Sequence, residues 1–131
     1  PYYDDVLVEV ANELEESVRC ARKMGVSAGK LAVDPGIGFG KRLEDNLVLT
    51  SNLGWLRGRL GLPVMVGASR KGFLGSITGD PVGERDLASH AVCAIAAFSG
   101  ADAVRVHDVA GARRAVEVGK AMAACRRKEL A

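Results

Sequence analysis

Aromatic side chains are scarce in this sequence: one Trp, two Tyr and three Phe make up 5% of 131 residues. A core with so few rings has to be built from Val, Leu, Ile and Ala, which suits helices laid on short buried parallel strands. Cysteine is rarer still, and Cys20, Cys93 and Cys125 form no CxxC pair. An odd number at such spacings does not read as a disulfide framework or a zinc site. All three fall within expected helices and read as reduced packing residues of a cytosolic protein. No apolar run approaches the length of a membrane span, and there is no signal-peptide pattern. Charge of one sign is not in excess either: the net charge is +2, so neither nucleic acid nor a membrane surface is indicated. An initiator is missing as well. The chain begins at Pro1, so a piece of a longer protein is expected.

What is present is a soluble balance of 48% hydrophobic and 26% charged residues, enough for one compact domain with a real core. No repeat or low-complexity stretch stands out. Four helical patterns alternate with short apolar strands. The first helix is expected over 4–24, where Val6, Val10, Leu14, Val18 and Ala21 form one apolar stripe. Asp4 and Asp5 stand at its positive end and Gly25 can close it. The second is expected over 44–60, with Leu47, Leu53, Leu56 and Leu60 inward and Gly61 as its stop. The third covers 84–99 and stops at Gly100. The fourth follows Asp108, a good N-cap, and ends in the solvated charges of Arg126, Arg127, Lys128 and Glu129.

Between the helices lie apolar runs at 31–34, 64–67 and 104–107, too short for helices and rich in β-branched residues. Strands alternating with long helices mean βα units and a parallel sheet. Side chains alternate along a strand. Leu31 with Val33, Val64 with Val66 and Val104 with Val106 therefore form wholly aliphatic faces. The opposite faces end in Asp34, in Gly67, and in Arg105 with His107. An open, doubly wound sheet buries both faces, where two charged groups would be costly. Polar groups at the C-terminal ends of parallel strands are the pattern of a (β/α)₈ barrel. The expected fold is α/β, the C-terminal portion of such a barrel in αβαβαβα order.

Three strand ends carry the candidate chemistry. After the first strand comes DPGIGFGK (34–41), whose three glycines let the backbone turn tightly and approach a ligand. Asp34 has two readings: it caps the following turn, or it accepts two parallel hydrogen bonds from an amidine-like edge. After the second strand comes GASRKGFLG (67–75). Gly67 offers a flat platform, and Arg70 and Lys71 set two cations at the mouth unless they are simply an exposed basic pair. The third strand ends in RVHDV (105–109). Arg105 and His107 point the same way, beside a helix N-terminus, and can grip one anion together. The alternative is a structural pair, with Arg105 bridged to Asp34 or Asp108 and His107 buried and neutral. His90 receives no role, Trp55 reads as packing, and Asp102 reads as turn chemistry before the third strand.

In order and spacing these three runs resemble the strand-end motifs in the C-terminal half of dihydropteroate synthases. YDDVLVEV (3–10) is similar to that family's fifth helix. The resemblance covers essentially all of residues 1–131, and makes the three strands the sixth, seventh and eighth of a barrel whose N-terminal half is absent from this chain. It implies a transferase of folate biosynthesis, a sulfonamide target, that joins 6-hydroxymethyl-7,8-dihydropterin diphosphate to 4-aminobenzoate. Asp34 would hold the pterin amino edge, Gly67 would floor the pterin pocket, and Phe39 would help line the aminobenzoate pocket. Lys71 would touch both substrates, and Arg105 and His107 would bind the diphosphate. Lys71, Arg105 and His107 are the expected catalytic groups. Where the family often has Ser after Lys71, this chain has Gly72, so a hydroxyl contact is missing there while the backbone N–H remains. The resemblance further implies Mg²⁺ in the full-length enzyme, with its protein ligand in the missing half. It also implies a cytoplasmic location and a full-length homodimer. The segment alone is expected to be inactive. Two rival readings are a pterin-binding methyltransferase domain, against which the Ser69–Lys71 and Arg105–His107 runs argue, and a non-catalytic pterin-binding homologue.

Overall fold

The computed structural model describes residues 2–126. Of the expected charged helix end, Arg126 is exposed and positions 127–129 lie outside the described residues. Helix α1, Val6–Lys23, begins two residues after the expected start, with Asp5 as its N-cap. The Asp5 carboxylate accepts from Val8 N at 3.1 Å, and Glu9 reaches back to accept from the amides of Asp4 and Asp5 at 2.7 and 3.0 Å. These bonds satisfy N–H groups that have no partner within the helix. Val6, Val10 and Ala11 are buried, with Leu14 and Val18 packed beside them.

The long second helix is in fact two: α2, Leu43–Ser51, and α3, Leu53–Leu60. Asn52 breaks the run at φ −123°, ψ 29°, and its side-chain amide donates to the Val48 carbonyl at 2.8 Å. Asparagine competes in this way with the helical ladder. The break changes the inward face. Leu49, Leu53 and Leu56 are almost fully buried while Leu47 is 42% exposed, against expectation. The kink also sets Gly54 of α3 against the carbonyl of Ser99, so closely that a Cβ there would lie 3.0 Å from that oxygen. Truncating Leu53, 0% exposed at this junction, should cost about 2–5 kcal/mol.

Strand β1, Met65–Val66, pairs in parallel with β2, Ala103–Val104, in the register Met65 to Ala103 and Val66 to Val104. The first expected strand shrinks to a single parallel bridge, Val33 to Val64. Val33 N donates to Pro63 O and Met65 N donates to Val33 O, each at 2.8 Å. The outermost segments of this three-segment sheet are each bonded on one side only, which limits how far their ladders extend. The expected faces hold. Val33, Val64 and Val66 are buried in one core with α1, α2, α3 and the helices that follow, while Ala32, Arg105 and His107 are exposed on the other side.

Helix α4, Gly72–Thr78, was not expected; it buries Phe73 and Leu74. A 3₁₀ turn, Val82–Glu84, precedes α5, Asp86–Ser99, so the third long helix begins two residues late. Gly100 closes it at φ +110°. Helix α6, Val109–Ala124, is N-capped by Asp108, whose carboxylate accepts from Gly111 N at 3.2 Å. The cysteines only partly match expectation. All three are free, but Cys93 alone is buried, whereas Cys20 and Cys125 are exposed, Cys20 on α1 with its Sγ 3.5 Å from Glu16 Oε1 and Cys125 capping the end of α6. Trp55 is likewise 43% exposed, with the Arg59 guanidinium 5.5 Å above its ring. No described helix is long and apolar enough to cross a membrane.

Candidate active site at the strand ends

The three strand ends meet. A cleft of about 300 Å³ is lined by Gly67, Ser69, Lys71, Arg105, Val106 and His107. The parallel ladder puts these groups side by side. Arg105 N donates to Val66 O at 2.8 Å, so Gly67 and Ser69 on one strand extension stand level with Arg105 and His107 on the other. A larger hollow of about 490 Å³ lies on the outside between α1 and α3, around the Glu15–Arg59 pair, and contains none of the strand-end groups.

Arg105 lies across Gly67: a Cβ at Gly67 would sit 3.0 Å from its guanidinium nitrogen Nη2. Gly67 is thus where two strand ends close on each other, and any side chain there would displace Arg105. Among the described residues Arg105 makes no ion pair, either with Asp34 or with Asp108. The structural-pair alternative is therefore not what the fold builds, and His107 is exposed, not buried.

Lys71 joins the second strand end to the first. Its stem crosses Gly38, where a Cβ would collide with Lys71 Cδ, so the loop tolerates only glycine at this crossing. Its ammonium donates to the carbonyl of Ile37 and lies 3.8 Å from the centroid of the Phe39 ring. That distance is well within cation–π range. Burial lowers the Lys71 pKa; Asp34 opposes this, and Arg105 and Lys41 add to it. Phe39 is otherwise 63% exposed, with the Lys71 ammonium over the face of its ring.

Asp34 does cap its turn, accepting from Gly36 N at 2.8 Å through Oδ1. It makes no ion pair among the described residues, and its charge reaches Lys71 only at a distance. Asp34 and Phe39 flank the cleft and do not line it.

Arg70 is not a cation at the mouth. Its guanidinium is held bidentately by Asp86 at 2.7 and 3.0 Å, and its backbone, at φ +58°, donates to Ser89 Oγ at 2.8 Å. These bonds hold the Asp86 carboxyl below its usual pKa. Arg70 pins the turn that presents Lys71, which is a structural use of a basic residue that the sequence pattern could not separate from a ligand contact. Two further residues escaped notice. Asn46, 1% exposed, accepts from Gly38 N at 2.7 Å and donates to Arg42 O at 2.9 Å, shaping the glycine loop. Ser69 bonds to His107, Oγ to Nδ1 at 2.9 Å. The available signal was parity: Ser69 is two residues past Gly67, as His107 is two past Arg105. His90 stands 2.9 Å from Asp108, but the pair is not aligned as a hydrogen bond and His90 Nε2 is buried without one.

Residues 1–107 match the family of pterin binding enzymes, and the chain belongs to that family. The relatives it resembles within it are dihydropteroate synthases. It is 40% identical over 121 residues to the dihydropteroate synthase of Synechocystis, covering 92% of this chain and 42% of that protein. The dihydropteroate synthase of Yersinia pestis, solved as a sulfonamide drug complex, superposes with a TM-score of 0.89 at 35% identity, over 96% of this chain and 46% of the other. That of Xanthomonas albilineans, solved with 4-aminobenzoic acid, gives 0.87 at 41% identity over 93% and 45%. The chain spans less than half the length of these relatives, and its α/β layers are part of their barrel.

Proposed function

We propose that this chain supplies half of the active site of a dihydropteroate synthase. The reaction joins 6-hydroxymethyl-7,8-dihydropterin diphosphate to 4-aminobenzoate, giving 7,8-dihydropteroate and diphosphate in the cytoplasm. The observation that carries this reading is the meeting of Lys71, Arg105 and His107 in one cleft, with no carboxylate among the described residues neutralising Arg105. Uncompensated cations on converging strand ends are what a departing diphosphate requires.

In this reading Asp34 anchors the amino edge of the pterin, whose ring lies over Gly67. Arg105 and His107 hold the diphosphate. Its departure leaves a cation on the pterin methylene, delocalised into the ring, and the arylamine of 4-aminobenzoate attacks that carbon and then loses a proton. Lys71, placed between Phe39 and the cleft, touches pterin and lines the aminobenzoate side. No strong base is required, so positioning and leaving-group electrostatics carry the rate. Mg²⁺ belongs to the reading, with its protein ligand outside this chain. This chain's own contribution to that chemistry is the fixed charge of Lys71 and Arg105 in the cleft. The working enzyme is taken to be a homodimer. Nothing in the cleft favours a methyltransferase or a non-catalytic homologue over this reading.

The test is synthesis. The full-length protein carrying this chain should form dihydropteroate from the two substrates, with a sulfonamide competing against 4-aminobenzoate. The 131-residue segment alone should form none. A full-length protein that binds pterin but makes no dihydropteroate would overturn the assignment.

A further inference from the structure

Ser69 lies in the cleft without a part in the reaction described above. Its position in the ladder is unusual. Past the bond from Arg105 N to Val66 O, a regular parallel pairing would offer His107 N the carbonyl of Ala68. That carbonyl instead accepts from Lys71 N at 3.3 Å, in the turn that presents the lysine. The Ser69 hydroxyl takes over, and His107 N donates to Ser69 Oγ at 3.3 Å. The same oxygen is 2.9 Å from His107 Nδ1. One hydroxyl thus holds both the backbone and the ring of one histidine.

The proton positions follow from counting. A serine hydroxyl has one proton to give and two lone pairs. Oγ already receives the His107 amide, and Nδ1 is the only acceptor within reach of its proton among the described residues. Ser69 is 9% exposed, so water is a poor substitute. If the ring instead donated from Nδ1, Oγ would take two donors and its own proton would be left without a partner. We propose that Ser69 is a positioning residue that holds neutral His107 as the Nε2–H tautomer, with that N–H turned to the cleft as a donor to an oxyanion. The histidine then contributes to anion binding without first having to be protonated, and the guanidinium of Arg105 supplies the fixed charge beside it. In a neutral imidazole the tautomer is set by the bond the other nitrogen makes. The anion in this inference is the diphosphate of the proposed function, and the inference rests on that reading.

The experiment uses the full-length protein carrying this chain, labelled with ¹⁵N-histidine, with inorganic pyrophosphate as the probe. In the neutral ring of His107, Nδ1 should give a bare, pyridine-type signal and Nε2 a protonated one. Ser69→Ala should collapse this into a mixture of tautomers and weaken pyrophosphate about two- to twelvefold, the loss expected for one ordinary hydrogen bond. Ser69→Thr keeps the hydroxyl and should restore both readouts, which a purely structural role for Ser69 would not require. A proton on Nδ1 in the wild-type protein overturns the proposal, as does an unchanged tautomer in Ser69→Ala. If the wild-type protein does not bind pyrophosphate, the diphosphate reading fails while the ring signals still decide the role of Ser69.

Discussion

Asp34 and Asp102 stand at opposite ends of the same small sheet and are used in opposite ways. Asp102, just before β2, accepts from Arg57 Nε at 2.8 Å and from Val64 N at 3.0 Å, tying α3 to the start of β1. Asp34, just after the Val33 bridge, has one bond to its own turn and no cationic partner among the described residues. The contrast extends to the cations. Arg57, near the strand starts, is bound to a carboxylate, while Arg105, at a strand end, makes no ion pair among the described residues; Arg70, also past a strand end, is the exception, held by Asp86. Where strands begin, the chain neutralises its charges against one another. Where strands end, it leaves Asp34 and Arg105 to be neutralised by something else. In parallel barrels the same division separates the stabilising end from the reactive one.

The sharpest way to break that comparison is Asp34→Asn. The amide oxygen can keep the turn by accepting from Gly36 N, so melting should be nearly unchanged. The NH₂ group would face a donor on the pterin edge and leave unmatched polar groups in a partly dry site. Affinity for pterin diphosphate in the full-length protein should fall by about 2–4 kcal/mol, roughly thirty-fold to nearly a thousand-fold. Calorimetry beside a melting curve reads both. Near-native affinity would leave Asp34 a turn residue and nothing more.

Arg105→Ala comes next. Because no carboxylate among the described residues holds Arg105, removing it should not unfold the strand end. Losing a charge-assisted contact to an anion should weaken pterin diphosphate by about 1.5–3 kcal/mol. A pterin lacking the diphosphate should bind as before. Equal weakening of both ligands would show that Arg105 shapes the pocket over Gly67 and does not hold the anion.

The same contrast explains what was legible in the sequence. Strand faces were legible because parity alone sorts the buried Val33, Val64 and Val66 from Asp34 and Arg105, which are not buried. Helix stops at Gly61 and Gly100 were legible because only a left-handed turn suits them, at φ +63° and +110°. Pairings between distant segments were not. Arg70 looked like Lys71 until Asp86, sixteen positions away, was seen to hold it. Asn52 looked like a helical position because its bond to Val48 competes with the ladder and leaves no trace in apolar spacing. Short α4 carries too few turns to show a period. Ser69 sits beside a basic pair, and only its parity with His107 sets it apart.

The smallest expected effect tests the stabilising end. Asp102→Asn keeps the shape and can still accept from Val64 N, but it loses the charge that Arg57 binds. The Asp102 side chain is 33% exposed and that of Arg57 is 55% exposed, so solvent screens the pair and the loss should be about 1 kcal/mol. Its pH dependence has a definite sign. The hydrogen bond from Arg57 is the main force holding the Asp102 pKa below its ordinary value; burial opposes it, and the bond from Val64 N adds to it. A carboxyl with a depressed folded-state pKa stabilises the fold above the unfolded-state value, near 3.9, and loses that contribution as pH falls through the folded-state value. The deficit of Asp102→Asn relative to wild type should therefore be full at neutral pH and shrink below about pH 4, as wild type itself becomes protonated. Denaturant melts of the full-length protein at pH 7 and at about pH 3 measure this directly. Binding of pterin diphosphate at pH 7 should be the same in both proteins, because Asp102 lies at the end of the strands that the ligand does not approach. A deficit that persists unchanged into acid would mean that the Asp102 charge is not what holds α3 to β1, and a loss of ligand affinity would erase the division between the two ends.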